Sequence, residues 1–308
     1  MRRRNKARAP LAIIAGTMLR LCLLCEESAG ARLLQAVAAR GHRIAALLSS
    51  PGAAPWRLAE KLGCAPIAAR RVREPGFAAE LARAGVELLL NVHSLHLVPE
   101  EVLRVPRLGA YNLHPGLLPR FAGLNAPSWA IYHGEERHGV TVHRMEPGID
   151  TGAIVYQKSF PILPQDTGLS LALRCVQEGL PLLERLLEVA AADPGALPAV
   201  AQDPAQRRYF GRAAPQGGRL RWEEPARRIR DFVRACDYRP YASPWGAPRA
   251  QLAGREVELI EVAVTGEPSR AAPGTVRRRD CETSVAAADE WLRIVRSRAV
   301  AQPCLQPS

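Results

Sequence analysis

The chain has 308 residues, of which 47% are hydrophobic and 23% charged, and its formal net charge is +12. This composition excludes an intrinsically disordered protein, because a disordered chain has too few apolar residues to form a core. The length predicts two domains, since one hydrophobic core rarely extends beyond roughly 250 to 300 residues. No stretch reaches the ~18 consecutive apolar residues that span a bilayer, so no membrane partner is expected.

The positive charge does not by itself predict a nucleic-acid-binding protein. Five basic residues stand in the first eight positions, and the other arginines are scattered along the chain. Scattered arginine is typical of solvated helix surfaces, whereas phosphate binding requires a basic stripe on one face. The seven cysteines are odd in number and irregularly spaced. They predict reduced thiols, a cytoplasmic location and no metal site.

The first half of the chain alternates strands and helices. Strands are predicted at 19–24, 44–48, 86–92 and 110–113, and helices at 28–40, 56–62 and 77–84. This alternation predicts an α/β fold, a Rossmann-like parallel sheet whose ligands bind at the carboxyl ends of the strands. The first βα turn has no GxGxxG sequence, so a dinucleotide cofactor is not expected. Residues 1–17 are predicted to be a disordered extension.

The second half of the chain predicts the end of this domain and a smaller one. An antiparallel strand pair at 140–145 and 154–160 and a long amphipathic helix at 170–191 complete the first domain, over 18–192. Residues 193–206 are rich in Pro, Ala and Asp, which indicates a linker. A helix and short strands with Gly and Pro turns predict a β-barrel domain over 207–296, followed by a polar tail over 297–308. The helix is expected at 225–236 and the strands at 256–264, 274–278, 281–286 and 291–295.

Residues 111–152 carry the side chains that predict chemistry. Asn112 and His114 end a predicted strand at the edge where such folds bind ligands, and Asp150 follows in a glycine-bounded loop. Amide and imidazole N–H groups stabilise a developing oxyanion, and a carboxylate accepts a proton from an attacking amine directly or through water. The segment has no Ser or Cys beside a base. These residues therefore indicate direct transfer of an acyl group to an amine, with Asn112, His114 and Asp150 as the catalytic residues.

Each of these residues also has a structural interpretation. Buried Asn and His often only satisfy backbone groups, and Asp150 between two glycines suits a turn. Five further histidines suggest a metal site, but two carboxylate or thiol partners at ligand spacing are missing. Those histidines are His93, His96, His133, His138 and His143. Only the combination of the motifs, in this order, favours catalysis.

The order of the motifs resembles the formyltransferase family that uses 10-formyltetrahydrofolate, which includes methionyl-tRNA formyltransferase and glycinamide ribonucleotide formyltransferase. Asn112-Leu-His114 matches the catalytic Asn-x-His of the family, and Gly148-Ile-Asp-Thr-Gly152 matches its carboxylate loop. Gly116-Leu-Leu-Pro119 matches its Ser-Leu-Leu-Pro turn, with glycine in place of serine. The resemblance spans roughly Met18 to Arg296 and implies 10-formyltetrahydrofolate as the co-substrate, with no metal.

The resemblance also implies how the pterin ring of the co-substrate is bound. Backbone groups are expected to read the pterin edge, and apolar side chains are expected to sandwich the ring between a strand-end segment and the carboxylate loop. The residues implied are Leu95, His96, Leu97 and Leu103 from the first, Leu118 and Pro119 from the Leu-Leu-Pro turn, and Met145, Glu146, Pro147, Gly148 and Ile149 from the loop.

Further matches bear on the second domain and on the acceptor. Gly218-Arg-Leu-Arg-Trp222, Val233–Asp237 and Ala272–Thr275 match two-domain members of the family, which implies an OB-like β-barrel at the C-terminal end. Ser49–Trp56 is short and uncharged, where methionyl-tRNA formyltransferases carry a basic loop. Phe121–Trp129 resembles formyltransferase domains of nonribosomal peptide and other natural-product assembly.

The resemblance therefore implies formylation of a primary amine on a small molecule or a carrier-bound amino acid in specialised biosynthesis. Initiator Met-tRNA is the alternative acceptor. Hydrolysis of 10-formyltetrahydrofolate is the second alternative activity.

Overall fold

The computed structural model describes residues 18–300, so the predicted extension over 1–17 and the tail from 301 lie outside the described part. The chain divides into two compact units. One contains the described residues up to Tyr111 together with Leu183–Pro198, and the other contains Asn112–Leu182 together with the residues from Ala199. Within residues 18–300, no helix combines the length and the apolar character needed to cross a membrane.

The first unit is built from alternating strands and helices, as predicted. Its strands are β1 (Arg20–Cys25), β2 (Arg43–Ser49), β3 (Ile67–Ala68) and β4 (Leu88–Val92), and its helices are α1 (Glu27–Ala39), α2 (Ala54–Lys61), α3 (Phe77–Arg83) and α4 (Glu100–Leu103). β1 pairs in parallel with β2 and with β4. The strands β1 and β4 are buried along almost their whole length, because α/β folds cover both faces of a parallel sheet.

The second unit begins within β5 (Ala110–His114) and contains most of α6 (Gly168–Ala192). Between them lie β6 (Ala122–Gly123), α5 (Ala126–Tyr132), β7 (Arg137–Arg144) and β8 (Ile154–Pro161). β7 and β8 pair antiparallel, which confirms the predicted strand pair around the Asp150 loop. The larger sheet has the strand order β3-β2-β1-β4-β5-β7-β8. It is a mixed sheet, because β1–β2, β1–β4 and β2–β3 pair in parallel and β7–β8 pair antiparallel.

The C-terminal part of the second unit forms a five-stranded antiparallel sheet with the order β10-β11-β14-β13-β12. Its elements follow β9 (Tyr209–Phe210) and are α7 (Ala226–Ala235), β10 (Arg249–Leu252), β11 (Arg255–Pro268), β12 (Val276–Arg279), β13 (Glu282–Ala286) and β14 (Glu290–Ala299). Apolar side chains of α7, β11 and β14 share one core with Trp222. This half-barrel agrees with the predicted OB-like domain.

Several short elements were not predicted, namely β3, α4, β6 and β9, and two further details also differ from the prediction. β10 was not predicted, because its four residues, Arg249–Leu252, include two polar ones. β14 continues to Ala299, past the predicted start of the tail, since pairing with β11 extends to Val257↔Ala299. The predicted linker contains short 3-10 turns at Pro194–Ala196 and Pro204–Gln206. The domain boundaries at 192 and 207 stay predictions.

Candidate active site

The three predicted catalytic residues lie on two segments of the second unit. Asn112 and His114 are at the carboxyl end of β5, and Asp150 is in the loop between β7 and β8. Oδ2 of Asp150 is 3.4 Å from Nδ1 of His114, and both side chains are largely buried. Nε2 of His143 lies 3.1 Å from Nδ2 of Asn112 and 3.3 Å from Oδ1 of Asp150. The structure therefore brings an amide, two imidazoles and a carboxylate into one cluster.

The ring of His114 has an oxygen acceptor at each nitrogen. Its Nε2 lies 2.5 Å from the carbonyl oxygen of Phe121, which can only accept, so this nitrogen carries a hydrogen. Its Nδ1 faces the Asp150 carboxylate, so a doubly protonated ring satisfies both partners. A Cβ on Gly116 would lie 2.7 Å from His114 Nε2 and 2.7 Å from the Phe121 oxygen. Glycine at position 116 leaves room for this arrangement of the ring.

The backbone of Asp150 is left-handed, with φ at +53°, which is uncommon for a residue with a side chain. The Gly123 N–H donates to its Oδ2 at 2.8 Å. Burial by itself would raise the pKa of this carboxyl group. The charges of His114 and His143, a hydrogen bond from His143 and the Gly123 N–H outweigh burial and hold the pKa below its ordinary value of 3.8. Asp150 is therefore ionised at neutral pH.

His143 belongs to this cluster, although the sequence suggested for it only a weak metal-binding interpretation. Its Nδ1 donates to the Arg144 carbonyl at 2.8 Å, which leaves Nε2 facing Asn112 and Asp150. With a neutral ring, Nε2 accepts from the Asn112 amide, and with a protonated ring it donates to the carboxylate. A polar residue at the end of an alternating strand, just before the Asp150 loop, was the signal available in the sequence.

The residues implied for pterin binding lie on separate segments of the two units. In the first unit, Leu95 is 71% and Leu97 62% exposed, which is unusual for large apolar side chains of a folded domain. His96 and Leu103 are half-buried. In the second unit, Glu146, Pro147, Gly148 and Ile149 are exposed, Met145 and Pro119 are half-buried, and Leu118 is buried. Their role in binding stays a prediction.

The other candidate histidines lie outside the cluster. Burial lowers the pKa of His138 to about 4, and its Nε2 donates to the Pro115 carbonyl, as expected of a histidine in the core. His93, in the first unit, pairs with Glu27 at 2.9 Å. In the described range 18–300, no three His, Cys, Asp or Glu side chains are arranged to hold a metal ion.

Solved structures with the same fold include several formyltransferases. HypX from Aquifex aeolicus, in complex with tetrahydrofolic acid, has a TM-score of 0.59 and 21% identity over 92% of this chain. This chain spans only 45% of the length of HypX. The N-formyltransferase from Helicobacter canadensis, in complex with folinic acid and dTDP-3-aminofucose, has a TM-score of 0.67 and 16% identity, covering 92% of this chain and 100% of that one. Glycinamide ribonucleotide transformylase 1 from Symbiobacterium toebii has a TM-score of 0.52 and 25% identity, covering 60% of this chain and 95% of that one.

Comparison with protein families gives two matches along the sequence. Residues 32–186 match the formyl transferase family, and residues 213–304 match the formyl transferase C-terminal domain. The first match alone covers half of the chain and includes Asn112, His114, His143 and Asp150. The chain has a mixed α/β sheet that carries this cluster and, later in the sequence, an antiparallel half-barrel, and it belongs to the formyl transferase family.

Proposed function

We propose that this protein transfers the formyl group of 10-formyltetrahydrofolate to a primary amine on a small-molecule or carrier-bound acceptor. The observation that carries the proposal is the burial of an ionised carboxylate, Asp150, between two imidazoles, with the Asn112 amide in the same cluster. The formyl-folate supplies the one-carbon unit. This donor set fits it, because polarising a formyl oxygen requires N–H donors and a fixed positive charge.

His114 and Asn112 act on the oxygen of the formyl group. The Nε2 hydrogen of His114 is bonded to Phe121, so its Nδ1–H, supported by Asp150, is the hydrogen available for transfer. One N–H of the Asn112 amide faces His143, which orients the amide and leaves its second N–H for the oxyanion. Both donors are held in place before the reaction, so no reorganisation is required when negative charge develops.

Asp150 accepts the proton of the attacking amine, directly or through water. The new C–N bond forms at the amine and the bond to the folate nitrogen breaks. Asp150 passes the amine proton to that nitrogen, and the proton that His114 gives to the formyl oxygen returns to His114 when the carbonyl re-forms. A carboxylate with a lowered pKa is a weak base while His114 is charged. Its basicity rises when His114 gives up a proton, because one of the positive charges that lower the carboxyl pKa is then removed.

The acceptor is proposed from two observations. β2 ends at Ser49 and α2 begins at Ala54, so the uncharged residues 50–53 leave no room for a basic loop that binds tRNA. The Helicobacter canadensis enzyme with the same fold was solved with a nucleotide-linked amino sugar. Both favour a small amine over initiator Met-tRNA. The short loop is a feature of this chain itself, whereas the bound amino sugar belongs to the Helicobacter canadensis enzyme.

The test is transfer of labelled formyl from 10-formyltetrahydrofolate to a panel of amines, with release of tetrahydrofolate followed in parallel. The panel contains nucleotide-linked amino sugars, amino acids on carrier proteins and charged initiator Met-tRNA. Transfer to a small or carrier-bound amine is the expected result. Efficient transfer to Met-tRNA, with affinity that falls steeply with salt, would support the translation alternative instead.

The hydrolase alternative has its own assay. A hydrolase releases formate at the same rate with and without an amine, whereas a transferase forms formyl-amine in proportion to the tetrahydrofolate released. Formate release unaffected by every amine in the panel would replace the proposed transfer by hydrolysis.

A further inference from the structure

The carboxylate loop is held by residues from the end of the predicted linker and the start of the predicted C-terminal domain. We define the strap as residues 200–210. The side-chain amide of Gln202 donates from Nε2 to the carbonyl oxygens of Asp150, at 2.9 Å, and of Gly152, at 2.7 Å. Arg207 donates from Nη2 to the carbonyl oxygen of Ile149 at 2.9 Å. Two side chains of the strap therefore bind three of the four backbone carbonyls of residues 149–152.

The strap also pairs with residues 121–124, whose backbone contacts His114 through the Phe121 carbonyl and Asp150 through the Gly123 N–H. The Ala122 N–H donates to the carbonyl of Arg208 at 3.0 Å, and the Leu124 N–H donates to the carbonyl of Phe210 at 2.8 Å. These bonds flank Gly123, whose N–H donates to the Asp150 carboxylate. The strap is thus hydrogen-bonded to both segments that set the position of Asp150.

The backbone of Asp150 needs such support. A left-handed conformation in a non-glycine residue persists only when surrounding contacts impose it. The two Gln202 bonds fix the carbonyl of Asp150 itself and the carbonyl two residues later. Free rotation of this peptide would turn the carboxylate away from His114 and from the Gly123 N–H.

The strap also carries two buried polar atoms without a partner. Oε1 of Gln202 and Nη1 of Arg207 are shielded from solvent and make no hydrogen bond among the described residues. Leaving such atoms unpaired costs free energy, so a contact that served stability alone would favour apolar side chains. Their presence here indicates a requirement for the donors that face the loop.

We infer that Gln202 is a positioning residue for Asp150 in the formyl transfer proposed above, with Arg207 as a second hold on the same loop. Gln202 touches neither reacting group. It acts by keeping the carboxylate against His114, His143 and the Gly123 N–H. The kinetic tests of this inference rest on the proposed function, whereas the hydrogen-exchange test does not.

The kinetic test compares Gln202→Met with Gln206→Met in the full-length protein. Methionine keeps the length of the side chain and removes the donor. Gln206 lies on the same strap but is exposed, and its side-chain amide donates to Asp203. We expect kcat of Gln202→Met to fall at least tenfold with the KM for folate within twofold, and Gln206→Met to match wild type. Equal kcat in the two variants would overturn the inference.

A double-mutant cycle separates positioning from a general structural effect. In an Asp150→Asn background, Gln202→Met should cost little further in kcat, because the group that it positions has already been removed. Full additivity of the two losses would mean that Gln202 acts elsewhere, and it would refute the positioning role.

A readout without substrate keeps this test separate from that of the proposed function. Hydrogen exchange of the peptide over 120–125 reports the Gly123 amide, which is protected by Asp150 Oδ2. Gln202→Met should accelerate this exchange, whereas Gln206→Met should not. Gln202→Ala serves as a second variant if the methionine variant does not fold. Unchanged exchange in a folded Gln202 variant would overturn the inference even if formyl transfer were confirmed, and accelerated exchange would support it even if transfer were not.

Discussion

Replacement of Asp150 by asparagine is the most direct test of the proposed chemistry. The substitution keeps the shape of the side chain and removes the charge that faces Nδ1 of His114 at 3.4 Å. At an effective dielectric constant near 20, two unit charges at that distance attract by about 5 kcal/mol, before the cost of burial is subtracted. Loss of a positioned acid–base group typically lowers the rate by about 10²- to 10⁴-fold. That range corresponds to about 2.7 to 5.4 kcal/mol, so the loss of charge attraction and the expected loss of rate have a similar magnitude.

The assay is kcat of formyl transfer at neutral pH with saturating folate and amine. Asp237→Asn is the matched control, because a hydrogen bond from Arg239 also lowers the pKa of that carboxyl group, outside the Asp150 cluster. We expect the Asp150 variant to lose at least a hundredfold in kcat and the Asp237 variant to retain wild-type kcat. An Asp150→Asn enzyme with near-normal turnover would refute the assignment of this cluster to catalysis.

The same variants test the pKa of Asp150 through stability. A carboxyl group whose pKa is lower in the folded than in the unfolded state stabilises the fold above its unfolded value, here near 3.8, and this contribution is lost as the pH falls. The unfolding free energy of wild type should therefore drop more steeply below about pH 4 than that of Asp150→Asn. Parallel pH profiles in urea unfolding would show that the folded protein does not lower this pKa.

Three further predictions concern individual side chains. Asn112→Ala should lower kcat by about 10²- to 10³-fold, as loss of an oxyanion donor does, and a change in KM alone would contradict that role. His143→Phe should raise the pKa of Asp150 toward its ordinary value, because a hydrogen bond and a charge that lower it are removed, and the acid limb of the kcat–pH profile reports this shift. Trp222→Ala should lower the unfolding free energy of the protein by about 3 to 5 kcal/mol, because a 7% exposed indole of the half-barrel core and its bond to the Gln251 carbonyl are lost. Denaturant unfolding measures that loss, and a change below about 1 kcal/mol would contradict the packing.

Local pattern was sufficient for most of the secondary structure. The alternation of apolar strands with amphipathic helices predicted β1, α1, β2 and β4 to within a few residues, because burial between helices requires nearly continuous apolar strands. The strand pair around Asp150 was predicted because a strand-like segment lies on each side of a glycine-rich loop. β10 escaped prediction, since short polar edge strands carry no such period.

The residue types around the site, and the motif order that indicates a formyltransferase, are properties of the sequence by itself. Asn112, His114 and Asp150 were identified because strand ends and glycine-bounded loops are where such folds place reactive side chains. The resemblance of the motifs then indicated the family, which the family comparison confirmed.

Only the tertiary structure decided which groups meet. His143 joins the cluster because antiparallel pairing of β7 with β8 places its ring beside Asn112 and Asp150. Gln202 is more than fifty positions from Asp150 in the chain and looked like linker, yet its amide binds the Asp150 carbonyl. Contacts between segments so far apart leave no periodic trace in the sequence, because they depend on how packed elements bring distant backbone groups together. The sequence therefore identifies the residue types of the site, and the fold determines which of those residues come into contact.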